Sequence, residues 1–130
     1  SSKFVSTVPA LLENLNIPFT GASSEVLNLT NNKILAKQIL RYNELSTPDW
    51  FGQFSGASQF RIGEKYIIKA IHEHASFALD KFSVIKPQNE KELLMAVKAK
   101  EKKHECEFFA EQYIQGREFN TALIETNGRS

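Results

Sequence analysis

The sequence predicts an α+β fold, an antiparallel sheet with helices packed on one face, and three observations lead there. KYIIKAI at 65–71 is a strong strand signal, and KFSVIKP follows it across a polar tip, which is hairpin order. Helix-spaced apolar stripes stand before these strands and again after them. With 130 residues, 42% of them apolar, there is room for about one domain with one real core. Strands in hairpin order with helices between and before them favour α+β over a doubly wound parallel sheet.

Taken in order, VPALLENL at 8–15 has Pro9 near a helix start and a stripe of Val8, Leu11, Leu12 and Leu15. IPFTG at 17–21 is expected to be a short strand. Thr30, Asn31 and Asn32 offer caps to a helix, KILAKQILRYN, with a stripe of Ile34, Leu35, Ile39 and Tyr42. Lys33, Lys37 and Arg41 line its other face, which by itself suggests a solvated surface. TPDWFG at 47–52 predicts a short strand after a proline turn, and 53–63 is turn-rich. Asn89 followed by Glu92 caps a helix to about residue 103, with Leu93, Leu94 and Val97 inward and Lys98, Lys100, Lys102 and Lys103 outward. CEFFAEQYI at 106–114 and REFNTALIE at 117–125 are expected strands joined around Gly116.

Composition narrows the function classes. A formal net charge of +1 gives no global field toward nucleic acid or an anionic membrane. The lysine run after residue 97 lacks interleaved aromatics, so it predicts a solvated face. No apolar run approaches a membrane span and the N-terminal stretch lacks a signal-peptide core, so the expected compartment is the cytoplasm. A single cysteine, Cys106, excludes an internal disulfide and fits a reducing environment.

Four constellations could carry chemistry. His72, His74, His104 and Cys106 could hold zinc, but the HxH and HxC pairs are too tightly spaced for common zinc motifs and lie far apart. Ser76 near two histidines lacks a nucleophile elbow, and Cys106 sits among glutamates that oppose a thiolate. Glu111 and Glu118 flank a turn without a cleft signature for glycoside chemistry. Lys69 ends an apolar strand and runs into a loop of small residues (Ala75, Ser76, Ala78), where backbone N–H groups could approach an anion. No Walker sequence is present.

In this order the pieces resemble the ATP-grasp ligases of the D-alanine–D-alanine ligase type. LLENLNIPFTGASSEVLNLTNNKILAKQIL is similar to that family's L-L-E-x-x-G-I-P-Y-T-G-S followed by a D-K-x-x-x-K helix. YIIKAIHEHASFALD resembles I-V-K-P-x-x-E-x-S-S-x-G, and FFAEQYIQGREFNTALI resembles V-x-E-x-F-I-x-G-R-E-F-T-V-x-V. The resemblance implies an ATP-grasp-like nucleotide clamp. Lys33 and Lys69 would contact ATP phosphates, and the 73–78 loop, with Glu73 and Ser76, would fold over them. Glu111 and the backbone of Gln112 and Ile114 would face adenine, and Glu118 would hold the ribose hydroxyls. Lys37 and Arg41 keep their reading as solvated.

The sequence departs from the family pattern at four places. Ala70 stands for a proline, His74 and Ala78 for glycines, and Asn32 for an aspartate. The resemblance divides the chain into the end of an N-terminal lobe (1–30), a central nucleotide-binding domain (31–118) and the first strand of a C-terminal lobe (119–130). It implies a longer parent, an ATP-dependent carboxylate–amine ligase working through an acyl phosphate. Mg2+ ligands and substrate contacts are expected outside this chain, which holds no assigned catalytic or metal residue and is expected to be inactive alone. Small carboxylate and amine substrates are implied for the parent, nucleic acid and membrane are not, and a homodimer is left open. The alternative is a degenerate ATP-grasp module that binds nucleotide or a protein partner without catalysis.

Overall fold

In a computed structural model, residues 4–52, 54, 56–72, 77–119 and 121 are described. Eight elements follow one another: α1 (Thr7–Asn14), α2 (Ser24–Asn31), α3 (Lys33–Tyr42), β1 (Trp50–Phe51), β2 (Tyr66–Ala70), β3 (Val84–Ile85), α4 (Glu90–His104) and β4 (Phe108–Gln112). Among them no helix is long and apolar enough to cross a membrane.

The capping residues explain three of the helices. Asn32 begins α3 by accepting from the Ile34 and Leu35 amides, both at 3.1 Å. Asn89 begins α4 by accepting from the Glu92 amide at 3.0 Å, while Glu92 reaches back to the Gln88 amide at 2.7 Å. Ser23 caps α2 through Val26. That helix was not expected. Its sequence, SEVLNLTN, buries only Asn31, so no clean apolar stripe marks it.

The strands form one antiparallel sheet in the order β1-β4-β2-β3. Only β2 and β3 are neighbours in both sequence and space. β4, the last described strand, lies between β1 and β2. The pleat sends alternate residues to opposite faces. Phe51, Tyr66, Ile68, Ala70, Phe108 and Ala110 pack under Leu93 of α4, which is fully buried. Trp50, Ile71 and Phe109 face the other way and meet Ile34 of α3.

Several expectations need correction. Residues 17–21 form no strand, since Pro18 lacks a donor and no partner strand lies beside them among the described residues. Nor are residues 117–119 a strand, while 122–125 lie outside the described residues. The stripes of α1 and α3 are mostly exposed: Val8, Leu11, Leu15, Leu35, Ile39 and Tyr42 all keep substantial solvent contact. Ile34 is the buried apolar residue of α3, and Lys37 is buried with it.

Candidate functional site

The β2–β4 register sets Ile67 opposite Glu111 and Lys69 opposite Phe109. Lys69 and Glu111 are therefore diagonal neighbours on one face, within reach of long side chains. Lys69 Nζ donates to Glu111 Oε1. From α3, Lys37 Nζ donates to Glu111 Oε2 at 2.8 Å and to Thr47 Oγ1 at 2.9 Å. Lys37 is 6% exposed and Glu111 8%. A carboxylate this deep is costly to desolvate unless both oxygens are held, and here an ammonium holds each.

The start of α3 is docked on the end of β2. Ile71 carbonyl accepts from the Lys33 amide at 3.2 Å and from Lys33 Nζ at 3.4 Å. Lys37 and Lys69 thus share one carboxylate, while Lys33 is held at the end of β2. Such a set can attract a polyanion while keeping its own acidic member satisfied.

The remaining predicted residues follow Glu111 at the end of β4 or beyond it. Gln112 is half-buried and its amide donates to the Asp49 carbonyl at 2.7 Å; the Tyr113 amide donates to the Lys65 carbonyl at 2.8 Å. Ile114 and Glu118 are exposed where the chain leaves the sheet, and Glu118 forms no ion pair among the described residues. Glu73 and Ser76 lie outside the described residues.

Sequence reasoning missed Lys37. The signal was present, because a residue four places after Lys33 shares its helix face. If Lys33 turns toward the sheet, Lys37 must follow. Arg41, one turn further, is also engaged. Its guanidinium lies 3.9 Å from the Trp50 ring centre, pairs with Asp49 at 2.9 Å and donates to the Gly56 carbonyl at 2.6 Å. Trp50 pairs with Glu111 across β1–β4, so this cation–π stack walls the carboxylate's neighbourhood.

Lys100 is a second lysine wrongly expected in solvent. It is buried, pairing with Asp80 at 3.0 Å and donating to the Ala78 carbonyl at 2.9 Å and to Ser83 Oγ at 3.1 Å. The Lys100 hydrogen bond pulls the Asp80 carboxyl from its usual 3.8 to about 2, helped by Ser83 and the Phe82 amide against some desolvation. Ala78, on the same segment, has a backbone φ of 56°, the left-handed region that favours the glycine it replaces in the family pattern.

The two described histidines have different neighbours. His104 packs against the rings of Phe77 and Phe108 at 5.5 and 5.7 Å, and its Nε2 is buried. His72 lies 3.8 Å from Glu107. His74 lies outside the described residues, and among those described no three His, Cys, Asp or Glu side chains cluster.

No protein-family model matches the chain. An uncharacterized protein of Sinorhizobium fredii is 33% identical over 118 residues, covering 90% of this chain and 34% of that protein. The D-alanine–D-alanine ligase of Acidovorax ebreus is 31% identical over 122 residues, covering 91% of this chain and 35% of the ligase. Among solved structures, D-alanine–D-alanine ligase from Bacillus anthracis superposes with a TM-score of 0.61 at 25% identity, over 85% of this chain and 36% of that one. The same ligase complexed with ATP gives 0.61 at 23% identity, a likeness of fold. The chain therefore spans about a third of the length of the curated relatives it matches. It resembles the D-alanine–D-alanine ligases in sequence along nearly its whole length and has their ATP-grasp-like α+β fold.

Proposed function

We propose that this chain, related to the D-alanine–D-alanine ligases over nine-tenths of its length, supplies the nucleotide clamp of an ATP-dependent carboxylate–amine ligase. The observation that carries the reading is the pairing of Lys37 and Lys69 with Glu111 on one face of the β2–β4 pair, with Lys33 docked on the Ile71 carbonyl where β2 ends. In this reading Lys33 and Lys69 bind the phosphates, Glu111 and the backbone at Gln112 and Ile114 border the adenine, and Glu118 takes the ribose. Residues 31–118 are the nucleotide-binding domain, with 1–30 and 119–130 belonging to the flanking lobes. The parent would transfer a phosphoryl group from ATP to a carboxylate, and an amine would displace it. Positioning and neutralisation of the transferred group are what such a site contributes. In this reading the magnesium ligands belong to the parent outside this chain. A cytoplasmic setting belongs to the same proposal.

One observation favours the second reading, a module that binds without catalysis. Ala78 holds a left-handed backbone where the family pattern has glycine, so the segment beside the phosphate loop has less conformational freedom. Titration with ATP and with adenosine, followed by NMR shifts, tests the clamp. Lys69→Ala should weaken ATP about 10-fold or more and adenosine much less, because the phosphate contact is lost while Glu111 keeps its pairing with Lys37. Glu118→Ala should weaken both. Equal responses of the two ligands to Lys69→Ala would remove the phosphate assignment. ADP release by the intact protein, given D-alanine and ATP, separates ligase from silent module.

A further inference from the structure

We infer that Lys37 is a positioning residue that acts on Lys69 through the Glu111 carboxylate, an inference that rests on the clamp reading above. Lys37 is too buried to meet a ligand itself, its side chain being 8% exposed against 30% for Lys69. It is also held from three sides: Glu111 Oε2 at 2.8 Å, Thr47 Oγ1 at 2.9 Å and the Trp50 ring at 5.5 Å from its ammonium. A line of contacts thus runs from the interior to the surface, Thr47 to Lys37 to Glu111 to Lys69.

The charges explain why the inner lysine matters to the outer one. Glu111 alone would neutralise Lys69, and with both oxygens available it could draw the ammonium inward, away from any anion. Lys37 occupies one of those oxygens and returns a net positive charge to the group. Lys69 is then anchored by a single oxygen and keeps most of its attraction for phosphate. Docking of α3 through Ile34 and the Ile71 carbonyl fixes the depth from which Lys37 reaches Glu111. A lysine that only filled space would influence stability and leave the choice between ligands unchanged.

The test uses wild type, Lys37→Met, Lys37→Arg and Thr47→Val, each titrated with ATP and with adenosine. Lys37→Met should weaken ATP about 10-fold and adenosine less than about 2-fold, as expected when an uncompensated charge redirects its partner. Lys37→Arg, which retains the charge, should recover ATP binding to within about 3-fold. Thr47→Val leaves every charge in place but frees Lys37 to move, so it should shift ATP in the same direction by less. It also decides the matter if Lys37→Met does not fold. Without ligand, the Lys69 side-chain NMR signals should move in Lys37→Met or, failing that, in Thr47→Val. Equal loss for both ligands, or unchanged ATP binding with unmoved Lys69 signals, overturns the inference. If wild type binds neither ligand, the clamp reading fails, and the ligand-free Lys69 signals still decide the positioning: movement supports it and constancy overturns it.

Discussion

Under α4 the sheet presents Phe51, Tyr66, Ile68, Phe108 and Ala110 to Leu93, an apolar contact throughout, and its one buried lysine sits at the rim with Asp80. Toward α3 the same strands present Lys69 and Glu111 beside Phe109 and Trp50, and the buried lysine stands in the middle. Apolar burial needs only shape, so the first face can be sealed against water. Buried charge needs named partners at hydrogen-bond distance, so the second face depends on register, and one misplaced residue would leave an ion unsatisfied. Stability is concentrated on the α4 side, and the proposed clamp places specificity for a charged ligand on the other.

The sharpest way to break that division is Leu93→Ala. Leu93 has no exposed surface, and its truncation should cost about 3 kcal/mol, a fully buried leucine leaving a cavity under the sheet. Denaturant unfolding measures the loss, and the ratio of ATP to adenosine affinity should not move. A changed ratio would mean that the two faces are not separable.

Next in size is the acid response of the Lys100 rim. Asp80 has a folded pKa of about 2, below its usual 3.8, so its pairing contributes stability above 3.8 that is lost as pH falls through about 2. In Lys100→Met the Asp80 carboxyl, followed by carbon NMR against pH, should titrate close to its usual range, and the stability lost on acidification should shrink. Unchanged titration would show that Lys100 does not hold this segment.

The smallest effect is expected at the cap of α3. Asn32→Ala removes the acceptor for two amides and should cost about 1 kcal/mol, while Asn32→Asp should keep the cap. Thermal unfolding of the pair measures it. No loss in the alanine variant would mean that docking through Ile34 and Ile71, and not the cap, sets where α3 starts.

Much of the frame was legible because its causes are local. The Asn89 cap, the KYIIKAI strand and the start of α3 at Asn32 depend on a few adjacent residues, and the structure has all three. The Lys37 contact depends on Glu111, a partner 74 positions away, and no periodicity within one helix reports that distance. Lys100 likewise binds a segment 17 to 22 positions earlier. Helical spacing could still have ruled that Lys33 and Lys37 share a face, which makes Lys37 the more avoidable miss. The expected strand at 17–21 failed for a tertiary reason, since an extended segment with no neighbour has no ladder to join. Of the proposed ligand residues, Lys69 and Glu111 are brought together and Lys33 is docked on the Ile71 carbonyl, whereas Ile114 and Glu118 stand past the sheet's edge.

The strand order also bears on how the chain assembles during synthesis. β1 has β4 as its one described partner, and β4 arrives 57 residues after β1 ends, counting from Phe51 to Phe108. Until β4 emerges, Trp50 and Phe51 have no ladder and both cores lack Phe108 or Phe109. Only the β2–β3 pair can form earlier, and a lone two-stranded pairing is marginal in water. The sheet of the described strands therefore closes only once β4 has emerged, after long loop closure, which is the slow kind of folding. In a growing chain the edge of β2 that pairs with β4 waits without its ladder until then, and an unpaired strand edge is prone to aggregate.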